Sequence, residues 1–109
     1  MFSIDKLNRI YLTKGDDAAL RVTLYNGHDQ INPANGTLEM SVRNYPQGTL
    51  LFSIEADNEG YFVIGHSLTA AAEAGFYVYD IQWTNADGDI STVIRSDFNL
   101  TDEVTYNAV

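Results

Sequence analysis

The sequence predicts an all-β fold: an antiparallel β-sandwich of about seven strands with one short helical turn. Several short segments alternate apolar and polar residues, which is typical of half-buried strands. Clusters of Gly, Pro, Asn and Asp separate these segments at intervals of about 8–12 residues. Only residues 67–75 favour a helix, and no strand-helix-strand alternation indicates a parallel sheet. An open barrel is the structural alternative.

The longest predicted element is a β-hairpin over residues 75–100. On its first arm, one face is apolar and formed by Tyr77, Tyr79, Ile81 and Trp83. On its second arm, the same alternation predicts one mainly apolar face, which contains Ile90, Ile94, Phe98 and Leu100. Asp87 and Gly88 lie between the arms and favour a tight connection, because both tolerate positive φ angles. We therefore expect this hairpin to organise the sheet.

The remaining strands are expected to follow one another as a meander. They are predicted at residues 9–13, 18–25, 37–44, 50–55 and 61–64. Residues 26–36 are predicted to be a loop, and Tyr45 to Gly48 a turn, since Pro46 presets φ. The helical turn at residues 67–75 is expected to cross from one sheet to the other.

The parity of the apolar residues predicts one core. The expected core residues are Leu20, Val22, Leu24, Leu38, Met40, Val42, Phe62, Ile64, Tyr79, Ile81, Trp83, Ile94 and Phe98. A chain of 109 residues is long enough to bury such a core in a single domain.

Charge and composition restrict the classes of function. Fifteen acidic residues against six basic ones give a net charge of −9, which repels nucleic acid and anionic membranes. Cation binding, a basic partner surface and simple solubility are all compatible with this acidity. The chain has no cysteine, no apolar run long enough to span a membrane and no visible secretory signal. We expect neither nucleic-acid binding nor membrane insertion.

No motif in the sequence predicts catalysis, a cofactor or a metal. His28 and His66 are far apart, and no nucleophile elbow accompanies the serines. The carboxylates at residues 16–17 and 57–59 lie in predicted turns, where Asp and Asn are favoured for backbone reasons. Residues 85–90 begin like a calcium loop, but Ile90 and Ser96 occupy the positions that need Gly and Glu. We expect no catalytic, cofactor-binding or metal-binding residues.

Tyrosine is the commonest aromatic residue and offers contact surface outside the core. Tyr25, Tyr45, Tyr61 and Tyr106 lie on the predicted outer face or near loops. Because tyrosine is favoured at interfaces, these four are candidate contact residues.

Several motifs in series resemble the immunoglobulin-like N-terminal domain of bacteriophage baseplate upper proteins. They are IYLTKGDDA at residues 10–18, SLT at 67–69, GFYVYDIQW at 75–83, DGD at 87–89 and VIRSDF at 93–98. Their order and spacing match that family over residues 10–101. The chain departs from the family in ending without a stalk or receptor-binding region.

The resemblance implies an immunoglobulin-like sandwich at residues 10–101, with residues 1–9 as a lead or edge segment and residues 102–109 as a tail or link. It implies a non-enzymatic structural adaptor in a phage or prophage tail tip or baseplate, made in the bacterial cytoplasm and located in the virion. Its partners would be other virion or baseplate subunits and further copies of itself, as in a trimer. The segment through Leu12 and the tail after Thr101 are the expected contact regions, because both are predicted to lie outside the alternating core and can extend into a neighbour. The alternative is a carbohydrate-binding or bacterial cell-surface immunoglobulin-like module.

Overall fold

The computed structural model describes residues 1–102 and contains ten β-strands and two 3₁₀ turns. The strands are β1 (Phe2–Ile4), β2 (Ile10–Thr13), β3 (Ala18–Arg21), β4 (Leu24–Asn26), β5 (Asp29–Ile31), β6 (Thr37–Arg43), β7 (Leu50–Glu55), β8 (Tyr61–Ile64), β9 (Gly75–Thr84) and β10 (Ile90–Thr101). The 3₁₀ turns are Pro33–Asn35 and His66–Leu68. The all-β prediction is confirmed. The three strands beyond the expected seven are β1, β5 and the second half of the segment predicted at residues 18–25.

The strands form a two-layered β-sandwich. One layer is a six-stranded sheet in the order β1-β2-β10-β9-β6-β7, and the other contains the pairs β3-β8 and β4-β5. Pairing is antiparallel except between β2 and β10, which run parallel. Apolar side chains from both layers form one cluster, so a single core lies between them. Within residues 1–102, no helix is long and apolar enough to cross a membrane.

The core closely follows the predicted parity. Every predicted core residue is buried except Ile94, which is half-buried and packs against the core. The core also contains residues that were not predicted for it, namely Ile10, Leu12, Ala18, Phe52 and Leu100. The aromatic rings of Phe52 and Tyr79 contact Phe98 edge to face, with ring centroids 5.9 and 6.4 Å away.

The strand predicted at residues 18–25 is divided into β3 and β4, because the chain changes partners there. β3 pairs with β8, and the Val22 N–H then donates to the Gly60 carbonyl where β8 begins. Gly60 has φ 89°, and a Cβ there would lie 2.4 Å from the Val22 oxygen, so the close approach requires glycine. Beyond this point β4 pairs with β5. The alternation predicted the burial of Val22 and Leu24 but not the change of partner.

The segment predicted as a loop, residues 26–36, contains a short strand and a 3₁₀ turn, so the loop is shorter than predicted. β4 and β5 form a hairpin joined by Gly27 and His28, with Gly27 at φ 65°. A 3₁₀ turn follows, capped by the Asn32 side chain, which accepts the Ala34 N–H. Short polar strands such as β5 lack the apolar alternation that identifies a strand in sequence.

The predicted meander is wrong except at β6 and β7, because β2 and β3, for example, lie in different layers and do not pair. β6 and β7 form a hairpin, but β8 then pairs with β3 in the opposite layer. The helical turn is shorter than predicted and occupies His66–Leu68, directly before the buried Thr69. The Thr69 hydroxyl accepts the Gly15 N–H at 2.9 Å and fixes this crossing to the β2–β3 turn.

The long hairpin is confirmed, but its second arm changes face. β9 and β10 pair from Gly75–Leu100 to Thr84–Ile90, with a bulge at Val93 between Thr92 and Ile94. A bulge inserts one residue and therefore reverses the parity beyond it. Ile90, predicted to face the core, lies opposite Thr84 and is 65% exposed.

The amino-terminal segment belongs to the sheet. β1 pairs with β2, and β2 pairs with the last part of β10. Ile10 and Leu12 are fully buried, so the prediction that the segment through Leu12 lies outside the core is wrong for these two residues. The predicted tail contact lies almost entirely outside the described residues.

Candidate functional site

The two histidines occupy different parts of the molecule. His28 is in the β4–β5 turn, whereas His66 begins the second 3₁₀ turn. Asp17 lies against His66: its carboxylate accepts the His66 backbone N–H at 2.6 Å and lies 3.0 Å from the His66 Nδ1. The backbone hydrogen bond, followed by the side-chain contact, lowers the pKa of Asp17. Sequence reasoning missed this pair, because 49 positions separate its members and no motif connects them.

The Asp17–His66 pair has the properties of a structural contact. Its side chains are 71% and 67% exposed, so water screens their interaction. It connects the β2–β3 turn to the crossing after β8, beside the Thr69 hydrogen bond. Among residues 1–102, no group of three His, Asp or Glu side chains is arranged to hold a metal ion.

The carboxylates predicted to lie in turns organise those turns. Asp57 accepts the Glu59 and Tyr61 N–H groups at 2.9 and 3.0 Å. The Tyr61 bond, followed by the Glu59 bond, holds the pKa of Asp57 below its usual value. Asn85 likewise accepts the Asp87 and Asp89 N–H groups at 2.9 and 3.0 Å, which defines the β9–β10 turn. Backbone hydrogen bonding thus accounts for these groups.

Asp5 organises the loop between β1 and β2. Its carboxylate accepts the backbone N–H groups of Leu7 and Arg9 and pairs with the Arg9 guanidinium at 2.6 Å. Partial burial raises the pKa of Asp5, but the hydrogen bonds from Arg9 and Leu7 outweigh it and the net shift is downward. The Tyr79 hydroxyl donates to the Asn8 carbonyl in the same loop, and burial raises the pKa of Tyr79 to about 12.

The candidate tyrosines do not form a common surface. Tyr25, Tyr45 and Tyr61 are exposed but lie on β4, in the β6–β7 turn and on β8, respectively. Tyr61 stacks under Arg21, whose guanidinium carbon is 5.2 Å from the ring centroid. Tyr106 lies outside the described residues. Among the aromatic residues within 1–102, Phe76 is the most exposed, at 87%, and lies on the outer face of β9.

A shallow groove of about 940 Å³ runs over the outer face of the large sheet. Side chains from β6, β9 and β10 line it, among them Arg43, Val78, Asp80, Arg95 and Asp97. In the register of the sheet, Arg95 lies opposite Asp80 and Arg43 opposite Val78. Charges of both signs therefore lie side by side on this face.

In addition to the outer edges of the terminal strands β1 and β7, the large sheet has a free edge along residues 90–96 of β10. β2 pairs with β10 only from Phe98 to Thr101, so within residues 1–102 the preceding residues pair with β9 alone. Residues 86–93 are all exposed, including the apolar side chains of Ile90 and Val93. The Ser96 hydroxyl donates to the Leu7 carbonyl where the β1–β2 loop closes the edge. Unpaired strand edges of this kind accept a strand from another chain.

Comparisons with known proteins yield structural similarity only. No protein-family model matches the chain, and no curated protein matches it. The crystal structure of CopC from Methylosinus trichosporium OB3b is similar with a TM-score of 0.48 and 16% identity, over 88% of this chain and 87% of that one. Extracellular domains 3–5 of Drosophila OTK are similar with a TM-score of 0.39 and 18% identity, over 86% of this chain and 31% of that one.

Proposed function

We propose that this chain is a non-enzymatic structural adaptor that joins protein subunits through sheet edges. The free edge of β10 carries the proposal, because its backbone groups that face away from β9 have no partner strand within the described residues, and its apolar side chains Ile90 and Val93 are exposed. Strand addition supplies affinity through main-chain hydrogen bonds and needs no enclosed pocket. The turn carboxylates already accept backbone hydrogen bonds, which gives them a structural use.

The sequence resemblance gives the adaptor its setting. The motifs at residues 10–18, 75–83 and 93–98 resemble phage baseplate upper proteins, so we place the protein in a phage or prophage tail tip or baseplate. Neighbouring virion subunits and further copies of the chain are its proposed partners. The strong negative charge is consistent with protein rather than nucleic-acid partners.

Purified phage particles provide the test. The proposal predicts that the natural full-length protein is present in particles by mass spectrometry and labelled at the tail tip in electron micrographs. Val93→Lys adds a charge at the free edge and should reduce incorporation, whereas Ser53→Lys on β7 is the matched control. Particles that lack the protein, or a host gene setting without tail genes, would contradict the proposed setting.

A carbohydrate-binding module is the second candidate, favoured by the exposed Phe76 ring on the face that bears the groove. Sugars stack on exposed aromatic rings and hydrogen-bond to neighbouring polar side chains such as Asn99, which lies opposite Phe76 on β10. Specific binding on a glycan array that Phe76→Ala abolishes and Tyr25→Ala preserves would favour this candidate. Absence of any specific glycan signal would count against it.

A further inference from the structure

We propose that the free edge of β10 pairs with the same edge of a second copy, antiparallel and around a two-fold axis at the Val93 bulge. This inference rests on the proposed adaptor function, since it names the partner of the same edge. Isologous pairing of this kind would join two six-stranded sheets into one continuous sheet.

Charge complementarity selects a second copy as the partner. Asp87 and Asp89 lie in the turn at one end of the edge, and both are exposed. At the other end, where the Ser96–Leu7 hydrogen bond holds the β1–β2 loop against β10, the exposed Arg95 and Lys6 outnumber the exposed Asp97. Antiparallel pairing places the acidic end of each copy against the basic end of the other. An edge with this arrangement of charges is therefore complementary to itself.

The edge itself differs in charge from the rest of the molecule. The whole chain carries −9, which disfavours contact between arbitrary surfaces of two copies. Residues 90–96 contain no acidic side chain and one arginine, so their backbones approach without that repulsion. Pairing also covers Ile90 and Val93, which are 65% and 39% exposed. The lack of acidic side chains along the edge and the burial of Ile90 and Val93 both favour contact at this edge over other parts of the surface.

The bulge defines the register of the pair. A bulge in an edge strand hinders pairing with a regular strand, because the extra residue bends the backbone. With the axis between Thr92 and Val93, the two bulges face each other at the centre. Ile90 then lies opposite the partner's Arg95, and Ser91 opposite the partner's Ile94. In the pairing with β9, Ile90 and Arg95 lie on the outer face of the sheet, and Ser91 and Ile94 lie on the inner face. The proposed register therefore pairs residues that lie on the same face.

A single cysteine tests the position of the axis, since the chain contains none. The proposed register brings two copies of position 92 within the Cα separation of about 4.4–6.8 Å that a disulfide needs. Thr92→Cys should form a covalent dimer rapidly under mild oxidation at dilute concentration. Ser53→Cys is the control on β7, where the cysteine is also exposed and on an edge strand. Equal and slow oxidation of both variants would overturn the proposed register.

A charge swap tests whether charge complementarity selects the second copy. Dimerisation is measured by sedimentation equilibrium near 0.15 M salt, where the Debye length is about 8 Å. Arg95→Glu and Asp89→Lys should each raise the dimer dissociation constant about tenfold or more, because each variant places like charges together twice in the dimer. The double variant should restore the native constant, while Glu55→Lys on β7 should leave it unchanged. A native chain that stays monomeric up to about 1 mM would overturn the inference.

Combining these results with the particle experiment distinguishes the two proposals. A monomeric chain that still enters particles, with Val93→Lys depleted, would mean that another tail protein occupies the edge; the adaptor function would stand and the second-copy inference would fail. A dimer with the predicted charge dependence, formed by a protein that is absent from particles, would support the second-copy inference and contradict the phage setting.

Discussion

The two halves of β10 belong to one strand but differ in their surroundings. The last part, Phe98 to Thr101, lies between β9 and β2, and Phe98 and Leu100 are buried. The first part, residues 90–96, has β9 on one side only, and its leading residues are all exposed. The bulge at Val93 lies within the first part. Partner strands, rather than side-chain hydrophobicity alone, therefore decide which half of the strand is core: Ile90 is as apolar as Leu100 and remains outside.

The largest expected difference between the halves is in the cost of losing a large apolar side chain. Phe98→Ala should lower the free energy of unfolding by about 3–5 kcal/mol, because Phe98 is fully buried against Phe52 and Tyr79. Ile90→Ala is the matched variant in the exposed half and should change it by less than about 0.5 kcal/mol. Urea denaturation of both variants measures the contrast, and similar losses would contradict it.

The loop between β1 and β2 marks the boundary between the halves, and Tyr79 fixes it from the core side. Tyr79→Phe removes the hydroxyl that donates to the Asn8 carbonyl and should cost about 1 kcal/mol. Tyr77→Phe is the control, since its hydroxyl donates to the Glu73 carbonyl at an exposed position. Thermal and urea unfolding should show the larger loss for Tyr79→Phe. Equal losses of unfolding free energy would contradict the expectation that the hydrogen bond of the buried Tyr79 contributes more to stability than that of Tyr77.

The turn that begins the exposed half depends on one amide side chain. Asn85→Ala removes the acceptor of two backbone N–H groups and should destabilise the protein by about 0.5–1 kcal/mol. Asp87→Ala, whose side chain makes no such bond within the turn, should have a smaller effect at low protein concentration. The two variants are compared by the urea concentration at the midpoint of unfolding, with the slope of free energy against urea unchanged.

Asp5→Asn should give the smallest change in the free energy of unfolding, and this change should depend on pH in a specific way. The pKa of Asp5 is lowered in the folded state from an ordinary value of 3.8, so its contribution to stability is present above that value and is lost as the pH falls through the folded pKa. The difference in unfolding free energy between the native protein and Asp5→Asn should therefore be constant near neutral pH and shrink below about pH 4. A difference that grows on acidification would contradict the assignment.

Sequence patterns predicted the parts of the fold that depend on local parity and turn chemistry. Tyr79, Ile81 and Trp83 are buried as expected, and Gly88 takes a positive φ in the predicted turn. The prediction for Ile90 failed because one inserted residue, Val93, reverses parity without any change in composition.

Tertiary pairing accounts for the other differences from the predictions. The break after β3 arises where the chain exchanges β8 for β5, and the contact of Asp17 with His66 arises from the approach of two distant turns. The free edge exists because β2 begins opposite Phe98 and not earlier. Alternation along one segment carries no information about where a neighbouring strand starts.

Amide hydrogen exchange along β10 tests the central contrast most directly. At low protein concentration, amides of residues 98–101 should exchange only through global unfolding, whereas the outward amides of residues 90–95 should exchange through local opening or without protection. Raising the concentration should protect the second group selectively as copies pair, and Arg95→Glu should abolish that gain. Uniform protection along the whole strand at low concentration would contradict the account, because the first half of β10 would then already be paired within a single chain.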